Sequence, residues 1–228
     1  MAQVYGIVGW IGSGKDTVAN YIVDNYSGWR RVSFAGPLKD ALSVIFGWDR
    51  ELLDGISEES RAWREQVDPW WSERLQIPSL TPRWILQHIG TDVMRNHFHN
   101  DIWIAAAEQQ IQRHLDQGLN VIVSDCRFHN ELKAIQKHNG NLIEIHRDSG
   151  VKPAWLTCAI RQNTASAEEL EYLQKKKLTM EHLWPGIHPS EWSWVGLKTD
   201  YQIQNVGSLE QLYQSVDQLM FQSFVSNH

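Results

Sequence analysis

The sequence predicts an α/β fold, a parallel sheet covered on both faces by helices, and three observations predict it. Short apolar runs such as Val4–Val8 and Val121–Val123 end abruptly in polar turns, as buried strands do. Segments of helical spacing lie between those runs, and strand–helix alternation of this kind builds parallel sheets. The first run also passes through a glycine-rich turn straight into a helical pattern.

Taken in order, Val4–Val8 is the first strand, and Val18, Ala19, Ile22 and Val23 mark the first helix, with Gly28 as its stop. Residues 31–35 (Arg-Val-Ser-Phe-Ala) predict the second strand. Pro37 then opens a helix carrying Leu38, Ala41, Leu42, Ile45 and Phe46. From Asp49 to Pro82 the chain turns polar, tryptophan-rich and weakly periodic, which predicts an insertion over the sheet. Residues 82–96 and 102–115 read as two more helices, and 120–125 (Asn-Val-Ile-Val-Ser-Asp) as a buried strand. A helix over 131–137 and a strand over 142–146 follow. A long polar connection then runs from Asp148 to about Thr199, its charge run at 168–177 a solvated helix face. Tyr201–Ile203 and Leu209–Leu219 close the chain as strand and amphipathic helix. The expectation is one domain over 1–228, with insertions near 49–82 and 148–199.

The composition excludes some classes. At 42% hydrophobic and 21% charged, the 228 residues can bury an ordinary core. A net charge of −6 argues against a nucleic-acid coat, which carries a basic stripe, though not against a small basic pocket. Cys126 and Cys158 form no disulfide framework and no CxxC pair, which points to a reducing compartment. No apolar run nears the roughly 18 residues of a spanning helix, and no signal-peptide core precedes Val4, so a cytoplasmic protein is expected. Of twelve tryptophans, Trp63, Trp70, Trp71, Trp103, Trp192 and Trp194 fall outside the evident core runs. Packing of long loops is the simpler account of them, base stacking by one or two the sharper one. His97, His99, His129 and His146 are too irregularly spaced for zinc.

The chemistry starts at residues 9–17, Gly-Trp-Ile-Gly-Ser-Gly-Lys-Asp-Thr. Glycines let backbone N–H groups curl around phosphate oxygens, the following helix adds its positive end, and Lys15 reaches the β- and γ-phosphates. The pattern G-x-x-x-x-G-K-[ST] fails only at its last position, where Asp16 stands and Thr17 follows. Gly12, Ser13, Gly14, Lys15, Asp16 and Thr17 are the expected nucleotide-binding residues, within a P-loop NTPase three-layer sandwich.

The loop's partners point to a kinase. No NKxD motif supports a GTPase, and the strand ending in Asp125 carries no adjacent glutamate to activate water. Asp125 can instead join Asp16 and Thr17 around Mg²⁺, directly or through water. Positive charges recur at Lys39, Arg83, Arg95, Arg127, Arg147 and Arg161. A loose phosphoryl transition state needs such charge neutralisation more than covalent help. Arg127 stands out, because it follows a strand at the edge where open α/β sheets bind ligands.

Further residues carry a family resemblance. The Gly-Lys-Asp-Thr loop, then Phe34-Ala35-Gly36-Pro37-Leu38-Lys39, resembles the bacteriophage-type deoxynucleoside monophosphate kinases. So do Pro82-Arg83, Leu86-Gln87, Gly90-Thr91-Asp92, Trp103, Asp125-x-Arg127-Phe128-x-Asn130-Glu131 and His188-Pro189-Ser190-Glu191. The resemblance implies an adenylate-kinase-like core with a helical nucleotide-acceptor insertion and a lid. It implies ATP as donor, Mg²⁺, and dNMPs phosphorylated to dNDPs in deoxynucleotide biosynthesis, in the host cytoplasm if phage-encoded. By that analogy Lys39, Arg83, Gln87, Asp92, Trp103 and Arg127 face the acceptor, Asn130 and Glu131 stabilise the pocket, and Arg161 closes from the lid. Lys15, Asp125, Arg127 and Arg161 are the catalytic expectations. The oligomeric state is left open, a homodimer included.

Two rivals remain at this stage. Residues 201–209, Tyr-x-Ile-x-Asn-x-Gly-Ser-Leu, also resemble dephospho-coenzyme A kinases. A nucleotide-binding regulatory module without turnover is the other, opposed by the intact Lys15 and the surplus of arginines.

Overall fold

A computed structural model describes residues 2–147 and 152–226. Its sheet has five strands: β1 (Val4–Gly9), β2 (Trp29–Val32), β3 (Asn120–Val123), β4 (Asn141–His146) and β5 (Tyr201–Gln204). They pair in parallel in the order β2-β3-β1-β4-β5. The order reverses direction at β1, which lies between β3 and β4. That is the switch point where the C-terminal strand ends of an open α/β sheet leave a crevice. All six residues of β1 are buried, as a central parallel strand requires.

The chain divides into two compact units, one formed by residues 1–32 and 111–228, the other by residues 33–110. The second therefore begins earlier and ends later than the 49–82 insertion read from composition.

In the first unit, Tyr5, Ile7, Val18, Ile22, Trp29, Ile122, Ile143, Ile203, Leu212 and Val216 form one buried cluster. The helices Lys15–Asn25 and Leu209–Ser226 contribute their apolar stripes to it. β2 corrects the sequence reading: it starts at Trp29 and ends at Val32, not at Ala35. Trp29 pairs with Asn120, and Val32 with Val123. Ser33 then turns the chain, its carbonyl accepting from the Gly36 N–H at 3.2 Å. Phe34 is apolar because it is buried at a turn, not because it belongs to a strand.

The long connection contains short helices: Leu156–Thr164, Ala167–Lys175, Met180–Leu183 and Pro189–Trp192. Ala159, Met180 and Trp192 form their small core, with Trp155, Trp184 and Ile187 packed on it. Residues 148–151 of the predicted lid lie outside the described residues.

The second unit is helical. Its polar stretch forms the helices Arg50–Asp54, Glu58–Glu65 and Pro69–Leu75. Each is too short for a periodic signal, and each starts at a side-chain cap: Asp49, Ser57 and Asp68 accept from Glu51, Ser60 and Trp71 N–H groups. Leu38, Leu42, Trp48, Leu53, Leu80, Ile85 and Trp103 make its core. Tryptophan donors find partners there, Trp48 Nε1 on Asp68 (2.8 Å) and Trp71 Nε1 on the Phe46 carbonyl (3.0 Å). The helix expected over 82–96 is α-helical only over Pro82–Gln87; His88–Phe98 winds as a π-helix. Within it, Gly90 lies so close to Leu38 that an added Cβ would come within 2.7 Å of it. Its carbonyl accepts the Trp103 indole N–H at 2.9 Å.

Of the six tryptophans outside the apolar runs, Trp103, Trp192 and Trp194 are buried and Trp63 and Trp71 pack on the core. Trp70 is exposed. Packing accounts for the five.

Candidate active site

The loop after β1 begins the site. Gly9, Gly12 and Gly14 all have positive φ, and at Gly14 (φ 101°) the chain enters the Lys15–Asn25 helix. A glycine there brings no side chain, so the helix's first N–H groups face outward as anion donors. Two chain-distant groups hold the loop's carbonyls. Asn205, after β5, donates Nδ2–H to the Ser13 carbonyl at 2.8 Å, and Arg147, after β4, donates to the Gly12 carbonyl at 3.1 Å. The Ser13 N–H closes the turn onto the Trp10 carbonyl at 3.1 Å, and a ligand would take the amides that lead from Gly14 into the helix.

Lys15 is buried, its ammonium donating to the Gly9 (2.7 Å) and Trp10 (2.8 Å) carbonyls. Burial first and Arg127 next push its pKa down, to about 8 even with Asp16, Glu191 and Asp125 pulling the other way. A buried cation held by neutral carbonyls is short of negative charge, which a polyphosphate would supply.

Those five charges place Lys15, Asp16, Asp125 and Arg127 in one neighbourhood, and Glu191 with them. Asp16 is ion-paired with Arg31, whose guanidinium also reaches Ser124 Oγ (2.9 Å) and Asn20 Oδ1 (2.6 Å). Thr17 is half-buried on the first turn of the helix. Arg127 follows β3 on a backbone fixed by Glu131. That buried carboxylate accepts the Arg127 (2.8 Å) and Phe128 (3.1 Å) N–H groups at the start of the His129–Lys137 helix. Asn130 is half-buried on the same first turn. Arg127 Nη1 lies 3.5 Å from Glu191 Oε1. Arg161, on the Leu156–Thr164 helix, pairs instead with Glu169 on the next helix at 2.9 Å.

The remaining expected residues belong to the second unit. Lys39 binds Asp54 at 2.9 Å, and Arg50 joins the same carboxylate at 2.7 Å. Burial would raise the Asp54 carboxyl, but Lys39 and Arg50 overcome it and hold the pKa below the ordinary value. Arg83 pairs with Glu65 at 2.7 Å, Gln87 is exposed, and Asp92 Oδ2 lies 3.1 Å from His88 Nδ1, placed to accept from it. Trp103 is in the unit's core.

Three residues at the site were not assigned from sequence. Glu191 and Asn205 were visible only as members of family-like strings, and Arg147 only as a cation ending a strand. Their common signal is position after a strand or in a short polar motif, which does not reveal what they touch.

A parallel sheet of this order, with a glycine loop and buried lysine after its central strand, defines a P-loop nucleotide-binding protein. The chain belongs to the deoxynucleotide monophosphate kinase family. A protein of Acanthamoeba polyphaga mimivirus, provisionally named a deoxynucleotide monophosphate kinase, is 33% identical over 152 residues, covering 62% of this chain and 72% of that one. The family's model, described as deoxynucleotide monophosphate kinase, matches residues 72–154. The deoxynucleoside-5′-monophosphate kinase of Escherichia phage T5 is 26% identical over 190 residues, covering 61% of this chain and 74% of that one. Among solved structures, a dephospho-CoA kinase from Campylobacter jejuni covers 97% of both chains at a TM-score of 0.44 and 15% identity, too remote to bear on activity. No helix among the described residues is long and apolar enough to cross a membrane.

Proposed function

We propose that this chain is a kinase that moves the γ-phosphoryl group of ATP onto a deoxynucleoside monophosphate, yielding the diphosphate and ADP in the cytoplasm. The observation that carries the reading is the convergence of a buried, charge-hungry Lys15 with Asp125 and Arg127 at the sheet's switch point. Family membership supports a monophosphate as acceptor.

In this reading the amides that lead from Gly14 into the helix hold the donor's phosphates, and Lys15 neutralises charge between the β- and γ-groups. Arg127 grips the transferring group or the acceptor phosphate with two parallel N–H donors. The acceptor's own phosphate oxygen is already ionised near neutral pH, so no general base is required. Lys39, Arg83, Gln87 and Asp92 hold the acceptor, with Asn130 and Glu131 supporting Arg127, and Arg161 closes from the lid. Trp103, buried with its indole N–H on the Gly90 carbonyl, serves that unit as packing and not as a contact to the acceptor. The donor set also fits Mg²⁺, a hard cation that takes one or two protein oxygens and completes its shell with phosphate and water. Thr17 and Asp125 provide such oxygens, and Asp16, with one oxygen on Arg31, has a second to offer. The metal would supply charge neutralisation between the β- and γ-phosphates.

An acceptor panel tests the proposal. Purified protein with ATP and Mg²⁺ is offered each common NMP, each dNMP and dephospho-coenzyme A, and ADP release is followed. Acceptor-dependent ADP with one or more dNMPs is expected. Turnover only with dephospho-coenzyme A would replace the reading with its rival, and ATP binding without any acceptor-dependent turnover would leave a regulatory module.

A further inference from the structure

We infer that Glu191 is a positioning residue for phosphoryl transfer, its carboxylate setting the Arg127 guanidinium in place beside Lys15. The inference rests on the proposed kinase reading and adds a residue to it.

Arg127 has its backbone fixed by Glu131, but its side chain is long and rich in rotamers, so a fixed backbone does not aim the guanidinium. Glu191 is the carboxylate that reaches it, at 3.5 Å. A partly exposed ion pair of this kind is ordinarily worth little. What sets this one apart is how firmly its acid is mounted. The Pro189–Trp192 turn is capped by His188, whose Nδ1 accepts the Ser190 N–H at 3.2 Å. Trp192 is buried in the small core with Ala159 and Met180. Asn163 Nδ2 donates to the Trp192 (2.7 Å) and Val195 (2.9 Å) carbonyls, tying the C-terminal end of the turn and the residues just after it to the Leu156–Thr164 helix. Two residues beyond, buried Trp194 packs edge-on against Trp10 of the phosphate loop, ring centroids 5.1 Å apart, and Trp155 meets the same ring at 5.3 Å.

Glu191 therefore stands on a rigid turn registered against the phosphate loop itself. A carboxylate held this way transmits the loop's position to the arginine that must meet the transferring group. Misplacing such a group by about 1 Å can cost on the order of a hundredfold in rate.

The test is a double-mutant cycle of Glu191→Gln and Arg127→Lys, with kcat and KM measured for ATP and for the best dNMP. Glu191→Gln in the otherwise wild-type chain should lower kcat by roughly 10- to 100-fold on that scale, with KM for ATP within about twofold. In the Arg127→Lys background the same change should add less than about threefold, because residues acting as a unit are not additive. Melting curves of all four proteins accompany the kinetics. Glu191→Asp, which keeps the charge, serves if the glutamine variant fails to fold, and should retain more activity than any neutral replacement that does fold. An unchanged kcat in Glu191→Gln overturns the inference, and so do penalties that simply multiply in the double variant. Those outcomes leave the kinase reading intact. A wild-type chain without acceptor-dependent ADP release removes that reading, and the role of Glu191 falls with it.

Discussion

Lys15 carries its charge where water scarcely reaches, and the consequence is measurable without any substrate. Its pKa falls from 10.5 in the unfolded chain to about 8 in the fold, chiefly through burial. Between those values the unfolded chain binds more protons, so stability rises with pH across roughly 8 to 10.5. Below that window the charged lysine costs the nucleotide-free fold roughly 3 kcal/mol, at about 1.4 kcal/mol per unit. Lys15→Met should flatten this rise in urea titrations taken at pH 7.5 and pH 10, although it also forfeits the bonds to Gly9 and Trp10. An identical pH dependence in both proteins would show that Lys15 is not desolvated. Arg83 makes a different residue-scale case, because its partner Glu65 is half exposed and the pair contributes little to stability. Arg83→Ala should leave the melting temperature nearly unchanged. It should raise KM for dNMP by about tenfold or more, the scale of a charge-assisted hydrogen bond, with ATP affinity unaltered. Parallel ATP and dNMP titrations decide it, and a fall in ATP affinity alone would remove Arg83 from the acceptor side.

At the scale of elements, the strand–loop–helix unit depends on space as much as on charge. Gly14 turns through φ 101°, and a Cβ there would stand 2.7 Å from Asn205 Nδ2. Gly14→Ala must therefore both strain the backbone and push Asn205 off the Ser13 carbonyl. A stability loss of about 1 to 3 kcal/mol is expected, with ATP affinity falling further than stability alone explains. Calorimetric titration with ATP beside a melting curve separates the two, and unchanged ATP affinity would deny the loop its role. The short capped helices of the second unit make the converse point. A five-residue helix such as Arg50–Asp54 cannot stand by propensity, and its cap and the burial of Leu53 hold it.

For the whole molecule, the two cysteines report on cooperativity. Cys126 is fully buried after β3, and burial first, then Glu131 and Asp125, push its thiol well above the ordinary range. Cys158 is only partly buried, its thiol raised to a lesser degree, again mainly by burial. A thiol reagent in native buffer should modify Cys158 first, and Cys126 should react only as the sheet-containing unit unfolds. Labelling followed by mass spectrometry across a urea series checks this. Rapid native modification of Cys126 would mean that β3 opens locally. Saturating ATP should slow Cys126 labelling further, since a ligand of the folded state lowers the population of the unfolded one.

The sequence by itself determined the features whose causes are local. A glycine–lysine spacing between an apolar strand and a helical pattern is a local signal of a phosphate loop, and the continuous apolar runs Val4–Val8 and Val121–Val123 signal buried strands. The order of elements, the Asp125–Arg127 strand end and the family followed from such strings. Only the tertiary structure decided the rest. Phe34 looked like strand because apolar character does not distinguish a buried turn from a buried strand. The helices at 50–75 were illegible because each spans only one or two turns, too few to repeat an apolar spacing. The π-winding of His88–Phe98 lies where Gly90 meets Leu38 and offers its carbonyl to Trp103, contacts that no local spacing encodes. Asn205 on the loop and Glu191 on Arg127 are pairings across long stretches of chain, set by strand order and by the packing of Trp192 and Trp194. A residue's type announces what it can bind; its partner is chosen by the fold that brings the two within reach.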